Sequence, residues 1–150
     1  MSDNNDLIKL YSKQILALAA DIPLTGRLDH PSGTCKKRAP LCGSTVQVDV
    51  VVEGGKIAEF AQNVRACALG QASASILGRN VIGMGRDDIQ TARDTLENML
   101  KNDGPTPGAP FDGLEVLRPA REFKNRHASI LLAWEATLNA FDMAAETQAC

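Results

Sequence analysis

Residues 40–75 read PLCGSTVQVDVVVEGGKIAEFAQNVRACALGQASAS, and this stretch decides the fold. Valine alternates with other residues over Ser44–Glu53, the pattern of a strand with one buried face. Gly54-Gly55 permits positive φ angles and predicts a tight turn. A second strand, from about Lys56 to Arg65, then returns alongside the first. The stretch therefore predicts an antiparallel hairpin.

The register of this hairpin depends on the length of its turn. A strict two-residue loop places a glutamate opposite Val50. Counting Glu53 in the loop instead places Ala58 opposite Val50 and Phe60 opposite Val48. Because the second pairing matches apolar faces better, we expect a bulged three-residue turn.

Two cysteines flank the hairpin. Cys42 precedes the first strand and Cys67 follows the second, so we expect both thiols at its open end. Cys67 also opens a run of small and apolar residues that fits a helix with the thiol in its first turn, where the helix dipole favours a thiolate. Two neighbouring thiols would form a candidate soft-metal or sulfur-handling site.

Three further helices follow from apolar periodicity. The first spans Asp6–Ala20, the second starts at Asp87 or Asp88 and runs through Asn102, and the last opens at Pro119 and continues to about Glu146. The last helix carries one long stripe made of Phe123, His127, Ile130, Leu131, Trp134, Leu138 and Phe141.

The segment Leu24–Leu41 lacks periodicity and contains several Gly and Pro breakers. We expect a short edge strand around Thr25–Asp29. A mobile loop that carries Cys35 and the basic triplet Lys36-Lys37-Arg38 would follow it. Such a loop could deliver Cys35 to a nearby thiol site.

Length and composition limit the classes of function. A chain of 150 residues with 44% hydrophobic residues suggests one domain, spanning 1–150, with its own core. A net charge of −2 with interspersed signs does not favour nucleic-acid binding, and no apolar stretch is long enough to cross a membrane. No secretory segment opens the sequence, so we expect a cytoplasmic protein with free or metal-bound cysteines.

No catalytic motif stands out, so an enzyme is not expected. Neither a phosphate-binding P-loop nor a Ser/His/Asp arrangement is recognisable. His127 lies on the inward stripe near the start of the last helix. If that start lies beside the two thiols, thiolates and an imidazole together suit zinc or iron.

Three motifs make the chain resemble a known family. They are Pro-x-Cys-Gly-Ser at residues 40–44, Ala-Cys-Ala-x-Gly-x-Ala-Ser-Ala-Ser at 66–75 and Arg-His-Ala-Ser-Ile-Leu at 126–131. In this order they resemble the iron–sulfur cluster assembly scaffolds of the IscU, SufU and NifU N-terminal type. The resemblance extends over most of the chain.

This resemblance implies a fold, a site and partners. The fold would be α+β, a small antiparallel sheet of about three strands covered on one face by helices. The family site has three cysteines and an aspartate, binds zinc, iron or a transient iron–sulfur cluster, and accepts sulfur from a cysteine desulfurase. Apo iron–sulfur proteins would receive the cluster. Cys42 and Cys67 match the first two cysteines.

The chain departs from the family pattern at two positions. Ser44 stands where an aspartate is expected, and the third cysteine is missing. Its place is either Ala128, with His127 as the matching histidine, or Ser129, and the inward position of His127 on the stripe favours Ala128. We therefore expect Cys42, Cys67 and His127 to bind the metal, with Cys35 as an optional fourth ligand.

Three functions remain open at this point. The first is a scaffold that binds iron, zinc or a nascent cluster and accepts sulfur through Cys42 and Cys67. The second is a module that docks a desulfurase, or regulates it, without assembling clusters. The third is a zinc-stabilised structural protein.

Overall fold

The computed structural model describes residues 12–40 and 43–149. Three strands form one sheet, and they are β1 (Gly33–Arg38), β2 (Thr45–Glu53) and β3 (Lys56–Arg65). Four α-helices accompany them within the described ranges: α1 (Lys13–Ala20), α2 (Ala68–Asn80), α3 (Arg86–Asn102) and α4 (His127–Ala149). Two 3-10 helices, Asp112–Glu122 and Lys124–Arg126, connect α3 to α4.

The sheet is antiparallel, with strand order β1-β2-β3. The alternating valines of β2 are 0–2% exposed and face the helical layer, in which α4 crosses β1 and β2. Alternation in β2 places these side chains on one face, and burying that face against a helix is what makes the sheet stable. The predicted α+β fold with a three-stranded antiparallel sheet is confirmed.

The hairpin turn is shorter than predicted. Glu53 pairs with Lys56 across a two-residue loop, in which Gly54 and Gly55 have φ angles of 59° and 75°. The irregularity lies instead within the strands, where the pairing shifts between Val51 and Val52. The bulge was therefore predicted, but its position in the turn was wrong.

The bulge explains the register that results. Val52 pairs with Ile57 and Val51 with Glu59, so Ala58 is the extra residue of β3. Phe60 consequently lies opposite Val50, and not opposite Val48 as predicted. The extra residue returns the apolar side chains of β3 to the core face. The sequence analysis expected a three-residue turn to have this effect.

The segment before β2 also differs from the prediction. Gly33–Arg38 is a paired strand, so the mobile loop expected to carry Cys35 was wrong. The strand expected around Thr25–Asp29 is reduced to an isolated bridge between Thr25 and Gln62. A strand without an apolar alternation forms here because β2 supplies the hydrogen bonds and α4 covers its start, where a Cβ on Gly33 would overlap the carbonyl oxygen of Ala140.

The helices agree with the apolar periodicity except at their ends. Five apolar residues of α3 follow helical spacing and are all buried: Ile89, Ala92, Leu96, Met99 and Leu100. Pro119 lies inside a 3-10 helix, so the predicted start of the last helix was wrong and α4 begins at His127. The predicted start of the first helix, Asp6, lies outside the described residues. No helix in the described ranges has the length and apolarity needed to cross a membrane.

A buried polar link joins α2 to α4. The indole Nε1 of Trp134 donates to Ser73 Oγ at 2.9 Å, and Ser73 Oγ donates to the carbonyl oxygen of Ile130 at 2.7 Å. Both Trp134 and Ser73 are 0% exposed. Because a buried polar group without a partner is costly, these bonds fix how the two helices meet.

Asp49 is a buried carboxylate on the opposite face of the sheet, 1% exposed. Arg27 Nε and Thr34 Oγ1 each donate to it at 2.6 Å, and the Leu28 N–H donates at 3.1 Å. Burial alone would raise the pKa of Asp49, but these hydrogen bonds and the charge of Arg27 outweigh burial and lower the pKa. These hydrogen bonds hold the segment before β1, at Arg27 and Leu28, against β2.

We predict that Asp49→Asn removes a pH-dependent part of the stability. Because the folded state lowers this pKa, the ionised carboxylate stabilises the fold above the unfolded pKa of about 4 and stops doing so as the pH falls through the folded value. The variant should lose about 1–3 kcal/mol of unfolding free energy at pH 7 and less at pH 3. Urea unfolding at both pH values measures this.

The exposed Asp29 offers the matched control. Asp29→Asn should leave the free energy of unfolding within about 0.5 kcal/mol of the parent at both pH values. Equal losses in Asp49→Asn at pH 3 and pH 7 would show that the charge of Asp49 is not what stabilises the fold.

Candidate functional site

Cys67 lies at the open end of the hairpin, as the sequence predicts. Arg65, the last residue of β3, pairs with Thr45, the first residue of β2. Cys67 follows two residues later as the N-cap of α2, with an extended backbone at φ −65° and ψ 168°. Its thiol is half-buried. The chain passes from β3 into α2 at this point. A partly accessible thiol therefore lies at the start of a 13-residue helix.

Two serines complete a cluster around this thiol. Cys67 Sγ lies 3.6 Å from Ser129 Oγ, and Ser129 Oγ lies 3.0 Å from Ser44 Oγ. Both serines are buried, at 1% and 4% exposure. Ser44, Cys67 and Ser129, here called the serine–thiol cluster, come from the start of β2, the start of α2 and the first turn of α4.

The cluster depends on close contact between α2 and α4. A Cβ on Gly70 would lie 2.6 Å from Ser129 Oγ and 3.0 Å from the Ser129 carbonyl oxygen. Any side chain at position 70 would therefore push the two helix starts apart. The small residues of α2 allow this close approach.

Cys42 lies outside the described residues. Two hydrogen bonds are formed by the residues around it: the Ala39 N–H donates to the Ser44 carbonyl at 2.8 Å, and the Gly43 N–H donates to the Ala39 carbonyl at 2.9 Å. This β1–β2 turn is at the same end of the sheet as the serine–thiol cluster, because Ser44 belongs to both.

Cys35 is in the middle of β1. It pairs with Val48 and packs half-buried against the core. Arg38, at the end of β1, pairs with Thr45, so Cys35 lies three residues, or about 10 Å, from the cluster end of the sheet. The structure does not bring Cys35 to Cys67.

His127 is buried, as the stripe predicts, but on another side of α4. It is 5% exposed, and its Nε2 lies 3.0 Å from the Ala120 carbonyl oxygen. Residues two apart on a helix point about 200° from each other. Ser129 consequently faces Cys67, while His127 and Ala128 line a cavity beside α3.

The described residues offer a nucleophile more clearly than a metal centre. Within residues 12–40 and 43–149, no three His, Cys, Asp or Glu side chains converge to hold a metal ion. Cys67 supplies the soft sulfur, and the hydroxyls of Ser44 and Ser129 hydrogen-bond to each other. Of the two positions that the sequence offered for the missing cysteine, the stripe favoured Ala128, whereas in the structure Ser129 is the one that contacts Cys67.

Comparisons with known proteins agree with the fold. The chain is 39% identical to the N-terminal part of a nitrogen-fixing NifU-like protein from Brucella abortus in its crystal structure, with 94% of this chain and 98% of that one covered and a TM-score of 0.91. A proposed iron–sulfur cluster assembly scaffold of the SUF system from Fervidobacterium islandicum is 19% identical, covering 89% and 98%, with a TM-score of 0.78, which bears on the fold alone.

A curated relative also matches. The iron–sulfur cluster assembly scaffold protein IscU of Thermotoga maritima is 23% identical over 126 residues, which is 84% of this chain and 88% of that protein. No family model matches the chain. Two of these names describe scaffolds, a class that does not act as an enzyme, in agreement with the sequence prediction.

We predict that Gly70→Ala destabilises the protein by about 1–3 kcal/mol, because the added methyl meets Ser129 and must separate α2 from α4. Gly108→Ala is the control, since nothing lies within 4 Å of its added Cβ. Urea unfolding of both variants measures the difference. Equal stability of the two variants would mean that the helices accommodate a side chain at position 70.

Proposed function

Since this chain belongs to the IscU/SufU/NifU N-terminal family of iron–sulfur cluster assembly scaffolds, we propose that it acts in cluster assembly and that Cys67 is its sulfur acceptor. The observation that carries this proposal is the position of Cys67. It is a partly accessible thiol at a helix N-cap, at the end of the sheet where Ser44 and Ser129 meet.

Sulfur acceptance requires only a nucleophilic thiolate at this place. The Cys67 thiolate attacks the outer sulfur of a persulfide on a partner cysteine desulfurase. A new sulfur–sulfur bond forms on Cys67, the old one breaks, and the desulfurase cysteine leaves as a thiolate.

The cargo would be iron or a transient iron–sulfur cluster, with zinc as a further metal that the same thiols suit. Cys42 and Cys67 are the proposed ligands. The positions of His127 across α4 and of Cys35 within β1 argue against their joining Cys67 without rearrangement. Iron–sulfur clusters are usually held by four thiolates, so we propose an open complex that releases its cargo readily to apo iron–sulfur proteins.

A desulfurase-docking module without assembly activity is the second candidate. The hydrogen bond between Ser44 and Ser129 favours it. Two neutral hydroxyls that hydrogen-bond to each other in a buried site are weaker ligands for a soft metal than a carboxylate and a thiolate. In this case the fold would bind the desulfurase while holding no cluster.

We predict that Cys67→Ser abolishes sulfur capture. Anaerobic incubation with a cysteine desulfurase and free cysteine, followed by mass spectrometry of the intact protein, measures the persulfide. Cys35→Ser, in which a half-buried thiol of β1 is removed, should retain the wild-type amount. If Cys67→Ser accumulates as much persulfide as the parent, Cys67 is not the acceptor.

Reconstitution with iron and sulfide separates the two candidate functions. A visible chromophore in the wild-type protein that Cys67→Ser loses supports assembly. Absence of a chromophore, with stimulation of the desulfurase intact, supports docking. Zinc binding alone, with neither a chromophore nor stimulation, would indicate a structural metal and contradict both.

We further predict that Ser129→Cys increases cluster retention. A thiolate would replace a hydroxyl 3.6 Å from Cys67 Sγ, and the chromophore should survive gel filtration to a greater extent than in the wild type. Ser129→Ala, which removes the hydroxyl without adding a ligand, is the control. If the cysteine and alanine variants retain equal amounts of iron, position 129 does not contact the cargo.

A further inference from the structure

A cavity of about 550 Å³ lies on the side of α4 away from the serine–thiol cluster. The end of α3, the 3-10 segments before α4 and the first turn of α4 enclose it. Leu100 and Leu131 give it an apolar floor, and three cationic side chains and His127 form much of its wall. The cations are Lys101, Arg121 and Lys124.

The carboxylates of the cavity wall are already engaged. Arg93 donates to Glu97 at 3.0 Å and to Glu135 at 2.9 Å. Burial lowers the pKa of Arg93, but its hydrogen bonds to these carboxylates outweigh burial and raise the pKa, so the guanidinium stays charged. Lys101 Nζ also contacts Glu97, at 3.1 Å. The two negative charges of the wall are therefore compensated within the protein.

Two cations of the cavity wall have N–H groups that can donate to a ligand. Lys124 has no ion-pair partner in the described part of the chain. The carboxylates nearest to Arg121 Nε are those of Glu122 at 3.6 Å and Asp103 at 3.9 Å, both beyond hydrogen-bond length. Asp103 is held more closely by Arg118, at 2.8 Å. Lys124 and Arg121 can therefore donate to a ligand.

His127 adds an acceptor to the wall. Its Nε2 faces the carbonyl oxygen of Ala120 at 3.0 Å, and since a carbonyl can only accept, Nε2 carries the proton and Nδ1 of the neutral ring is an acceptor. No residue of the described ranges donates to Nδ1. Among those residues, Gln62 Oε1 is the only inaccessible side-chain N or O atom without a partner, so Nδ1 is open to water or to a ligand.

We propose that this cavity binds a small ligand that combines an oxyanion with a hydroxyl group. Lys124 and Arg121 bind the oxyanion, the hydroxyl donates to His127 Nδ1, and the carbon skeleton lies on Leu100 and Leu131. A monoprotonated phosphate group and a hydroxycarboxylate share this chemistry. Because the cavity is across α4 from Cys67, this site is separate from the proposed sulfur acceptor.

Calorimetric titration of the wild-type protein tests the proposal. Malate and inorganic phosphate are the two probes, and their affinities distinguish a hydroxycarboxylate site from a phosphate site. Succinate matches malate without the hydroxyl and should bind about three- to tenfold more weakly, since it lacks the hydrogen bond to His127 Nδ1. The double variant Lys124→Gln/Arg121→Gln should weaken binding of the tighter probe at least about tenfold.

Lys56→Gln is the matched control, because Lys56 is exposed in the hairpin at the other end of the sheet. Lys56→Gln should leave binding of both probes unchanged. Cys67→Ser should also leave it unchanged, because loss of sulfur capture in that variant tests only the proposed function. Thermal unfolding of each variant verifies that it is folded. Absence of binding by both probes at 10 mM, equal binding of succinate and malate, or an unchanged affinity in the folded double variant would overturn the proposal.

Discussion

The fold depends on how closely the backbone of α4 approaches its neighbours. At one point it meets β1 at Gly33, and near its start it meets α2 at Gly70. Neither position has room for a side chain, so the sheet, α2 and α4 are fixed relative to one another by main-chain contact. The serine–thiol cluster is a direct result, because its three residues belong to β2, α2 and α4. The geometry of the cluster is therefore set by how the sheet, α2 and α4 pack together, and not by contacts within the cluster alone.

The sequence predicted those elements in which apolar residues recur with the period of a strand or a helix. Strand β2 alternates and α3 repeats every three to four residues, and each formed as expected. Strand β1 reads GTCKKR and has no such pattern. It is a strand because β2 offers it hydrogen bonds and α4 covers its first residue. Interactions of that kind lie between distant parts of the chain, and a local pattern does not reveal them.

The same reasoning explains why the sequence grouped His127 with the cysteines, whereas in the structure His127 lies beside Ala120 and the cavity next to α3. Its position on the apolar stripe correctly predicted burial. Yet α4 is buried on several sides, since all five residues from Ile130 to Trp134 are buried, at 0–4% exposure. For a helix surrounded by protein, burial does not identify the neighbour. The motif order showed which helix reaches Cys67, but only the rotation of that helix determines that Ser129 contacts the thiol.

The contact between Cys67 and Ser129 also has a redox consequence. Two thiols at these positions could be oxidised to a disulfide, whereas a thiol and a hydroxyl cannot form one. Oxidants can therefore convert Cys67 to a sulfenic acid, or join it to a thiol from elsewhere, but cannot close it onto α4. Position 129 is thus inert toward oxygen and peroxide, and its hydroxyl stays available to donate a hydrogen bond to whatever sulfur species Cys67 carries.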